Sequence, residues 1–336
     1  MGAIGNLICK LTKNWLYRSA LPRSITGKLC LPGKRLGRSI SMHGVTFLSS
    51  LSNRRFGDFG PRNRPTIRIM KRSQPEQLEL LVDTHVHTHY SDGIAGVPRI
   101  ERFCDGRGIG VAITDHNEIR GATSVYERER IPVIPAIEVG TVEGVDLLVY
   151  FPNAELLEEF FKVAIEPRLR SRFMSRSWVQ SIDCLRTARE MDAYVSLAHP
   201  FALGRKSLDF QQGRRGEPFV TSVMAAVDAI ELHNGGIHRA ANRKAKAFAE
   251  TAGKRLTVGS DSHRLGTIGS NGTYLPTARN PSSADLFESL RTCSDLRFKM
   301  KGNASVATLP LLGLVALKHT QHFMRASRPK KRVYKF

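Results

Sequence analysis

Histidine and carboxylate side chains recur in short groups between residues 83 and 263, and nearly every group ends an apolar run. Two groups have the spacing of a strand, because His85 and His87 lie two residues apart, as do Asp261 and His263. Alternate side chains of a β-strand point to one face, so each pair can serve one site. Neutral imidazole and carboxylate together suit Zn, Mn or Fe. The spacing therefore predicts a metal centre, and the several carboxylates favour more than one ion.

The remaining groups add candidate ligands or their neighbours, one or two at a time. They are Asp83, Asp92, Asp115, His116, Glu138, Asp146, His199, Glu231 and His233. Each has an ordinary alternative: a His-Pro step such as His199-Pro200 is commoner as a turn, Glu138 could be an ion-paired loop carboxylate, and Asp146 could be a surface charge. Their conjunction favours the metal centre, because a solvated surface would scatter histidines through helices and loops. Seven of the eleven histidines instead lie at or just after predicted strand ends, namely His85, His87, His89, His116, His199, His233 and His263.

The elements that must position these groups alternate between short apolar runs and amphipathic stretches. Strands are predicted over residues 78–86, 110–114, 131–139, 145–151, 194–198, 229–232 and 256–259, and helices over 98–106, 154–164, 178–191, 220–227, 237–251 and 283–292. Residues 204–216 are interpreted as an inserted loop. Strands that alternate with helices predict a parallel sheet, open or closed. Because the carboxyl ends of parallel strands form one rim, this fold would gather the groups there.

A series of motifs runs through this segment in a fixed order. It consists of His85-Val-His87, Asp92-Gly93, Thr114-Asp115-His116-Asn117, Glu138, His199-Pro200, Glu231-x-His233-Asn234 and Gly259-Ser-Asp261-Ser-His263. The series resembles the PHP (polymerase and histidinol phosphatase) family and covers residues 80 to about 265. The resemblance implies an α/β fold, a distorted (β/α)7 barrel, with a two- or three-metal centre at the carboxyl ends of its strands. Basic N- and C-terminal extensions flank that barrel in this chain.

The resemblance also implies which residues hold the ions, which would be two or three divalent ions of Mn, Zn or Fe. His85, His87, Glu138 and Asp261 would bind the first; Glu138 and His199 the second; Asp92, His116 and His263 the third. In many relatives a histidine on the strand after the bridging glutamate completes the second site. Asp146 takes that place here, which keeps a ligand but makes the site harder and more tolerant of Mn or Mg.

Phosphate ester hydrolysis is the activity that the resemblance to stand-alone PHP phosphoesterases implies. Closely spaced divalent ions can supply a bridging hydroxide as nucleophile and neutralise the phosphoryl oxygens. The expected catalytic residues are Glu138, His199, His233 and Asp261, and either His199 or His233 would protonate the leaving oxygen. Asp83 and Asp115 are interpreted as carboxylates that orient imidazoles.

Arginine would bind the substrate phosphate, since its planar fork matches two phosphate oxygens. Arg205, shortly after His199-Pro200, is the first candidate, and Arg120, after Asp115-His116-Asn117, is the second. Each could equally be a solvated surface residue.

Positive charge is concentrated outside the segment that carries the motifs. The chain of 336 residues has a formal net charge of +21, yet residues 1–80 contribute +12, residues 301–336 contribute +8 and residues 81–300 only +1. The predicted division is a basic extension over 1–75, a metal-hydrolase domain over 78–300 and a basic helix or tail over 301–336. Five scattered cysteines without a Cys-x-x-Cys pair suit a reducing compartment, and the absence of a run of 18 apolar residues argues against a spanning helix.

The N-terminal extension has three interpretations, because residues 1–57 contain no acidic residue. It could be a mitochondrial transit peptide, a basic disordered arm, or a stretch before the true start at Met70. The cytoplasm is the expected compartment, and the mitochondrion is the alternative if residues 1–57 are a transit peptide.

Three function classes follow from these features. The first is a phosphoesterase acting on a small phosphorylated molecule, a nucleotide or an RNA end. The second is a metal-dependent amidohydrolase that uses the same chemistry on a C–N bond. The third is a nucleic-acid-binding protein with a relic barrel, whose basic tails contact polyanions loosely and without sequence preference.

Overall fold

The computed structural model of the protein describes residues 78–169 and 177–301. Its strands are β1 (Glu79–Val86), β2 (Gly110–Ile113), β3 (Val133–Gly140), β4 (Asp146–Tyr150), β5 (Tyr194–Leu197), β6 (Ala229–Asn234), β7 (Arg255–Gly259), β8 (Gly272–Pro276) and β9 (Arg297–Lys299). Its α-helices are α1 (Val97–Asp105), α2 (Arg120–Arg128), α3 (Ala154–Phe160), α4 (Ser181–Glu190), α5 (Leu208–Arg215), α6 (Glu217–Ala226), α7 (Arg239–Ala252) and α8 (Ser283–Thr292).

Strands β1 to β7 form a nearly closed barrel. They are hydrogen-bonded neighbours in the order β7-β6-β5-β4-β3-β2-β1, and β8 and β9 continue the sheet beyond β1. The ends of the barrel meet where Thr84 Oγ1 donates to the Val258 carbonyl at 3.0 Å and His87 N donates to the Ser262 carbonyl at 2.9 Å. The predicted seven-stranded α/β barrel is thereby confirmed.

The prediction of a parallel sheet is wrong at β4, which runs antiparallel to both β3 and β5. Residues 141–145 are too few for the crossover connection that parallel neighbours require, so β3 and β4 form a hairpin. In this hairpin Asp146 pairs with Gly140. The first residue of β4 therefore lies at the rim where β3 ends, and β4 delivers its ligand candidate from its amino end.

The predicted loop over residues 204–216 is also wrong, because it contains helix α5. The Ser207 side chain accepts from Asp209 N and caps that helix, a signal that the glycines on either side obscured. Helix α2 and strands β8 and β9 were not predicted: α2 begins without a side-chain cap, and β8 and β9 contain only five and three residues. The other elements lie within three residues of their predicted bounds, except α3, which ends at Phe160 because the chain continues as a π-helix over Phe161–Ile165.

Apolar side chains form two layers, one inside the barrel and one between the sheet and its helices. Helix α8 begins at Ser282, whose hydroxyl and main chain form a capping box with Asp285. It packs Leu286 and Leu290 into the inner layer together with Tyr150 and Tyr194. This packing lies at the ends of β4 and β5 that are remote from the rim, so the core is sealed there and the rim stays polar.

Several predictions fall outside the residues that the structure describes. These residues are 1–77, 170–176 and 302–336, so the extension over 1–75, the transit-peptide interpretation of 1–57 and nearly all of 301–336 stay predictions. None of the helices in the described ranges has both the length and the apolar character needed to cross a membrane.

Candidate metal centre

All nine predicted ligands lie at one rim of the barrel, although they come from six strands and the loops after them. They are His85 and His87 at the end of β1, Asp92 in the next loop, His116 after β2, Glu138 in β3, Asp146 at the start of β4, His199 after β5, and Asp261 and His263 after β7. Their close contacts divide them into three overlapping groups.

The first group joins both histidines of β1 to Glu138 and Asp261. The two imidazoles face each other with His85 Nε2 and His87 Nε2 3.1 Å apart. Asp261 Oδ1 lies 3.5 Å from His85 Nε2 and 3.1 Å from His87 Nε2. Glu138 Oε2 lies 3.4 Å from each of the two Nε2 atoms. Two imidazole nitrogens and two carboxylate oxygens thus converge on one point inside the protein.

The second group shares Glu138 with the first. Glu138 Oε1 lies 3.0 Å from His199 Nε2, and the same nitrogen lies 3.7 Å from Asp146 Oδ2. Because the two oxygens of Glu138 face different groups, this carboxylate has the geometry of a bridge between two cations.

The third group surrounds Asp92. Its Oδ2 lies 3.1 Å from His263 Nε2 and 3.6 Å from His116 Nε2, and its Oδ1 lies 3.6 Å from His87 Nδ1. The ligand-capable atoms of these four residues all lie within 4.8 Å of one another. His87 therefore belongs to two groups, which the sequence resemblance did not imply.

Carboxylates and imidazoles shift one another's pKa values at the rim. Burial raises the pKa of Asp92, Glu138 and Asp261, but the surrounding imidazoles outweigh it and hold all three pKa values well below their usual range. The pKa of His87 is lowered, first by burial and then by the charge of His263. The centre thus offers ionised carboxylates and one neutral imidazole. The neighbouring carboxylates outweigh burial and raise the pKa values of His85, His116, His199 and His263, so these rings must lose a proton when a metal binds.

The residues present fit divalent metal ions. The donors are imidazole and carboxylate without a thiolate, the set that suits Zn, Mn and Fe. The Nδ1 atom of His87, which faces Asp92 in the third group, is buried and makes no hydrogen bond within the described residues. A buried polar atom without a partner is costly, so an ion bound by this nitrogen would explain its placement.

Glu231 holds the imidazoles, a role that the sequence analysis gave to Asp83 and Asp115. Glu231 Oε1 lies 3.0 Å from His85 Nδ1, and its Oε2 accepts from His199 N at 2.8 Å and from Asn234 Nδ2 at 2.9 Å. Asp83 instead accepts from the main chain and hydroxyl of Ser260, and Asp115 from Thr88 and Ser91. These two aspartates anchor loops, because their carboxylates face main-chain and hydroxyl donors.

Backbone strain marks two of the rim positions. His199 has φ 27 and Asp261 has φ 52, a left-handed conformation that only a few per cent of non-glycine residues adopt. At His199 the Glu231 carboxylate accepts from the strained residue's own N–H. The strain turns the chain sharply after β5 and β7, where two ligand candidates leave their strands.

For three other predicted site residues the structure shows different neighbours. His233 is half-buried, and a main-chain contact with Lys301 is among its few polar neighbours. Arg120 Nη2 lies 2.6 Å from Glu118 Oε2, and its guanidinium lies over the Tyr90 ring. Arg205 is exposed. Their roles stay predictions.

Lys206, which was not predicted, lies at the centre instead. Its Nζ lies 2.5 Å from Asp146 Oδ2. Burial lowers the pKa of Lys206, but the charges of Asp146 and Glu138 outweigh it and raise that pKa above its ordinary value. The one available signal was its place six residues after Pro200, which is also the neighbourhood that suggested Arg205.

Comparison with known proteins agrees with this fold. Residues 239–292, from α7 to the end of α8, match a family profile described as PHP-associated. The lesion-specific endonuclease EndoQ of Pyrococcus furiosus has a similar fold, with a TM-score of 0.52 and 14% identity over 77% of this chain and 74% of that one. An endonuclease Q bound to a 27-mer duplex with an abasic lesion at its active site also has a similar fold. Its TM-score is 0.50 and its sequence identity 16%, over 66% of this chain and 58% of that one.

A two-domain protein of Bacteroides vulgatus, which contains a predicted PHP-like metal-dependent phosphoesterase, has a TM-score of 0.46 and 15% identity over 72% of this chain and 70% of that chain. No curated protein matches the sequence significantly. The matched segment contains Asp261 and His263 of the rim, and the barrel shares the fold of the two endonuclease structures. The profile match over residues 239–292 thus supports the resemblance to the PHP family that the motifs predicted.

Proposed function

We propose that the protein is a metal-dependent phosphoesterase that hydrolyses a phosphate ester of a small molecule, a nucleotide or a nucleic-acid end. One observation carries the proposal: five imidazoles and four carboxylates from separate strands converge at the rim in three overlapping groups. A purely structural network of ion pairs does not need imidazoles in contact with one another. Here they are in contact, because the His87 ring centroid lies 4.8 Å from that of His116 and 4.5 Å from that of His263.

The candidate ligands would be His85, His87, Asp92, His116, Glu138, Asp146, His199, Asp261 and His263. When bound, divalent ions neutralise the charge of a phosphoryl group and supply a nucleophile at neutral pH. Glu138 holds two groups at a fixed separation through its two oxygens. Glu231 orients His85 through the Nδ1 atom and thereby directs its Nε2 atom into the first group.

His199 and His233 remain the two candidates for the proton donor to the leaving oxygen. His199 faces Glu138 and Asp146, so we propose that it serves as a ligand. Burial lowers the pKa of His233, which leaves that ring neutral at pH 7 and makes it a weak proton donor in its resting state.

Nucleic acid is a reasonable substrate class. Two structures of similar fold, with TM-scores of 0.52 and 0.50, are endonucleases, and one of them holds a duplex with an abasic lesion at its active site. The basic extensions of this chain would favour a polyanionic substrate. We therefore include oligonucleotides among the substrates to be tested, with metal-dependent amide hydrolysis as the competing activity.

The test is turnover by the purified protein with added Mn²⁺ on nucleotides, short RNAs, an abasic duplex, histidinol phosphate and amides. We expect phosphate ester hydrolysis that a chelator abolishes. Fewer than one bound metal per chain together with no phosphoester turnover would refute the proposal, and turnover of amides alone would establish the competing activity.

The variant Asp261→Asn tests whether the candidate metal centre carries the activity. Asparagine tolerates the left-handed backbone of residue 261, so the fold should persist. The carboxylate that contacts both histidines of β1 is removed, so kcat/KM should fall on the order of a thousandfold or more. The melting temperature of the metal-free variant should stay close to wild type, which separates lost chemistry from lost fold.

A further inference from the structure

Lys206 places a permanent positive charge inside the second group. Its Nζ lies 2.5 Å from Asp146 Oδ2, and that same oxygen is the one that lies 3.7 Å from His199 Nε2. The ammonium thus contacts the oxygen that a cation in the Glu138–Asp146–His199 group would need. Asp146 is almost fully buried, with a side-chain exposure of 2%.

The position of Lys206 is fixed by the structure around it. It lies in the 3-10 turn Gly204–Lys206, which follows His199-Pro200. Gln211, fully buried, donates to the Arg205 carbonyl at 2.5 Å and to the Glu143 carbonyl at 2.9 Å. Glu143 belongs to the β3–β4 hairpin that also carries Asp146. One glutamine therefore ties the turn with Lys206 to the hairpin with Asp146.

Charge balance sets this group apart from the other two. Neither the Asp261 carboxylate of the first group nor the Asp92 carboxylate of the third makes an ion pair with lysine or arginine within the described ranges. Their neighbours are imidazoles, which can lose a proton when a metal binds. A lysine ammonium keeps its charge at neutral pH, so a divalent ion beside it would meet repulsion that the other groups lack.

We propose that Lys206 competes with a divalent ion for Asp146, so that the Glu138–Asp146–His199 group binds metal much more weakly than the other two groups. Lys206 is then a residue that determines how many ions the centre holds at a given metal concentration. The inference rests on the proposed metal centre and deepens it.

The experiment is titration of the metal-free full-length protein with Mn²⁺ by calorimetry and equilibrium dialysis. We expect two tight equivalents and one weak equivalent in wild type. Lys206→Met, which keeps the length of the side chain but removes its charge, should tighten the weak equivalent by about tenfold or more. Lys206→Arg should resemble wild type, and Asp146→Asn should lose the weak equivalent.

Lys244→Met is the matched control. Lys244 also forms a close pair with an aspartate, Asp209, but both side chains are about half exposed and neither forms an ion pair with a rim ligand within the described ranges. Its metal titration should match wild type. Thermal shifts give a second measurement: without Lys206 the buried Asp146 is unpaired, so the metal-free variant should melt earlier and gain more from Mn²⁺ than wild type does.

The outcomes separate the inference from the proposed function. Unchanged or weaker metal binding in Lys206→Met, with or without a raised KM, would overturn the inference and leave the phosphoesterase proposal in place. A wild-type protein that binds no metal would overturn both.

Discussion

His263 and Asp92 show how one pair of side chains couples protonation to the rim. His263 Nε2 lies 3.1 Å from Asp92 Oδ2. Burial lowers the pKa of His263, but the charge and hydrogen bond of Asp92 outweigh it and raise that pKa to about 9. In the metal-free protein this raised pKa stabilises the fold below pH 6.5, the ordinary value, and the contribution is lost as the pH rises through about 9.

Metal binding should therefore release a proton from His263 at neutral pH. Because a metal needs the neutral imidazole, affinity should rise from pH 7 to about 9 and then level off. Calorimetry of Mn²⁺ binding at pH 7.5, in two buffers of different ionisation enthalpy, counts the protons. His263→Gln should release about one proton fewer than wild type. An affinity that is flat over this pH range would contradict the expectation.

The role of a single residue could be predicted where it depends on neighbours in the sequence, and could not where it depends on a contact between distant positions. His85 and His87 follow from strand spacing, whereas the contact between His85 and Glu231 joins residues 146 positions apart. Lys206 and Arg205 are neighbours of equal charge, and only the rotation of a 3-10 turn decides which one reaches Asp146.

Strands and helices determine whether the rim can assemble at all. The alternation of apolar runs predicted the barrel because buried strands are continuous in sequence. The reversed direction of β4 was not predicted, since it depends on the five-residue connection after Gly140 rather than on the strand itself. Had β4 run parallel, Asp146 would lie at the opposite end of the barrel from Glu138 and no second group would exist.

Gly259 tests the contact between β7 and β1. A Cβ at Gly259 would collide with the Cβ of His85 and lie 2.9 Å from its N atom. Gly259→Ala should lower the free energy of unfolding by about 1–3 kcal/mol and weaken Mn²⁺ binding, because His85 must move. Chemical denaturation and metal titration measure both effects. Gly266→Ala is the control, since its Cβ would have no heavy atom within 4 Å; equal effects in the two variants would contradict this account.

The excess positive charge and the candidate metal ligands lie in different parts of the chain. Residues 81–300 carry a net charge of only +1, and the rim that they build gathers ionised carboxylates. The excess of +12 in residues 1–80 and +8 in residues 301–336 lies outside this core. Catalysis on a small substrate and attraction to a polyanion should therefore depend on different parts of the chain.

Shortening the chain to residues 78–301 would test this separation. Turnover of a small phosphorylated substrate should stay close to that of the full chain, because every rim residue is retained. Affinity for a single-stranded RNA should fall, and the slope of log K against log salt should shrink by about 0.7 for each phosphate that the short chain no longer neutralises. Chains that lack only one extension show which of the two contributes. A short chain that keeps the full salt slope would place the polyanion-binding surface on the barrel itself rather than on the extensions.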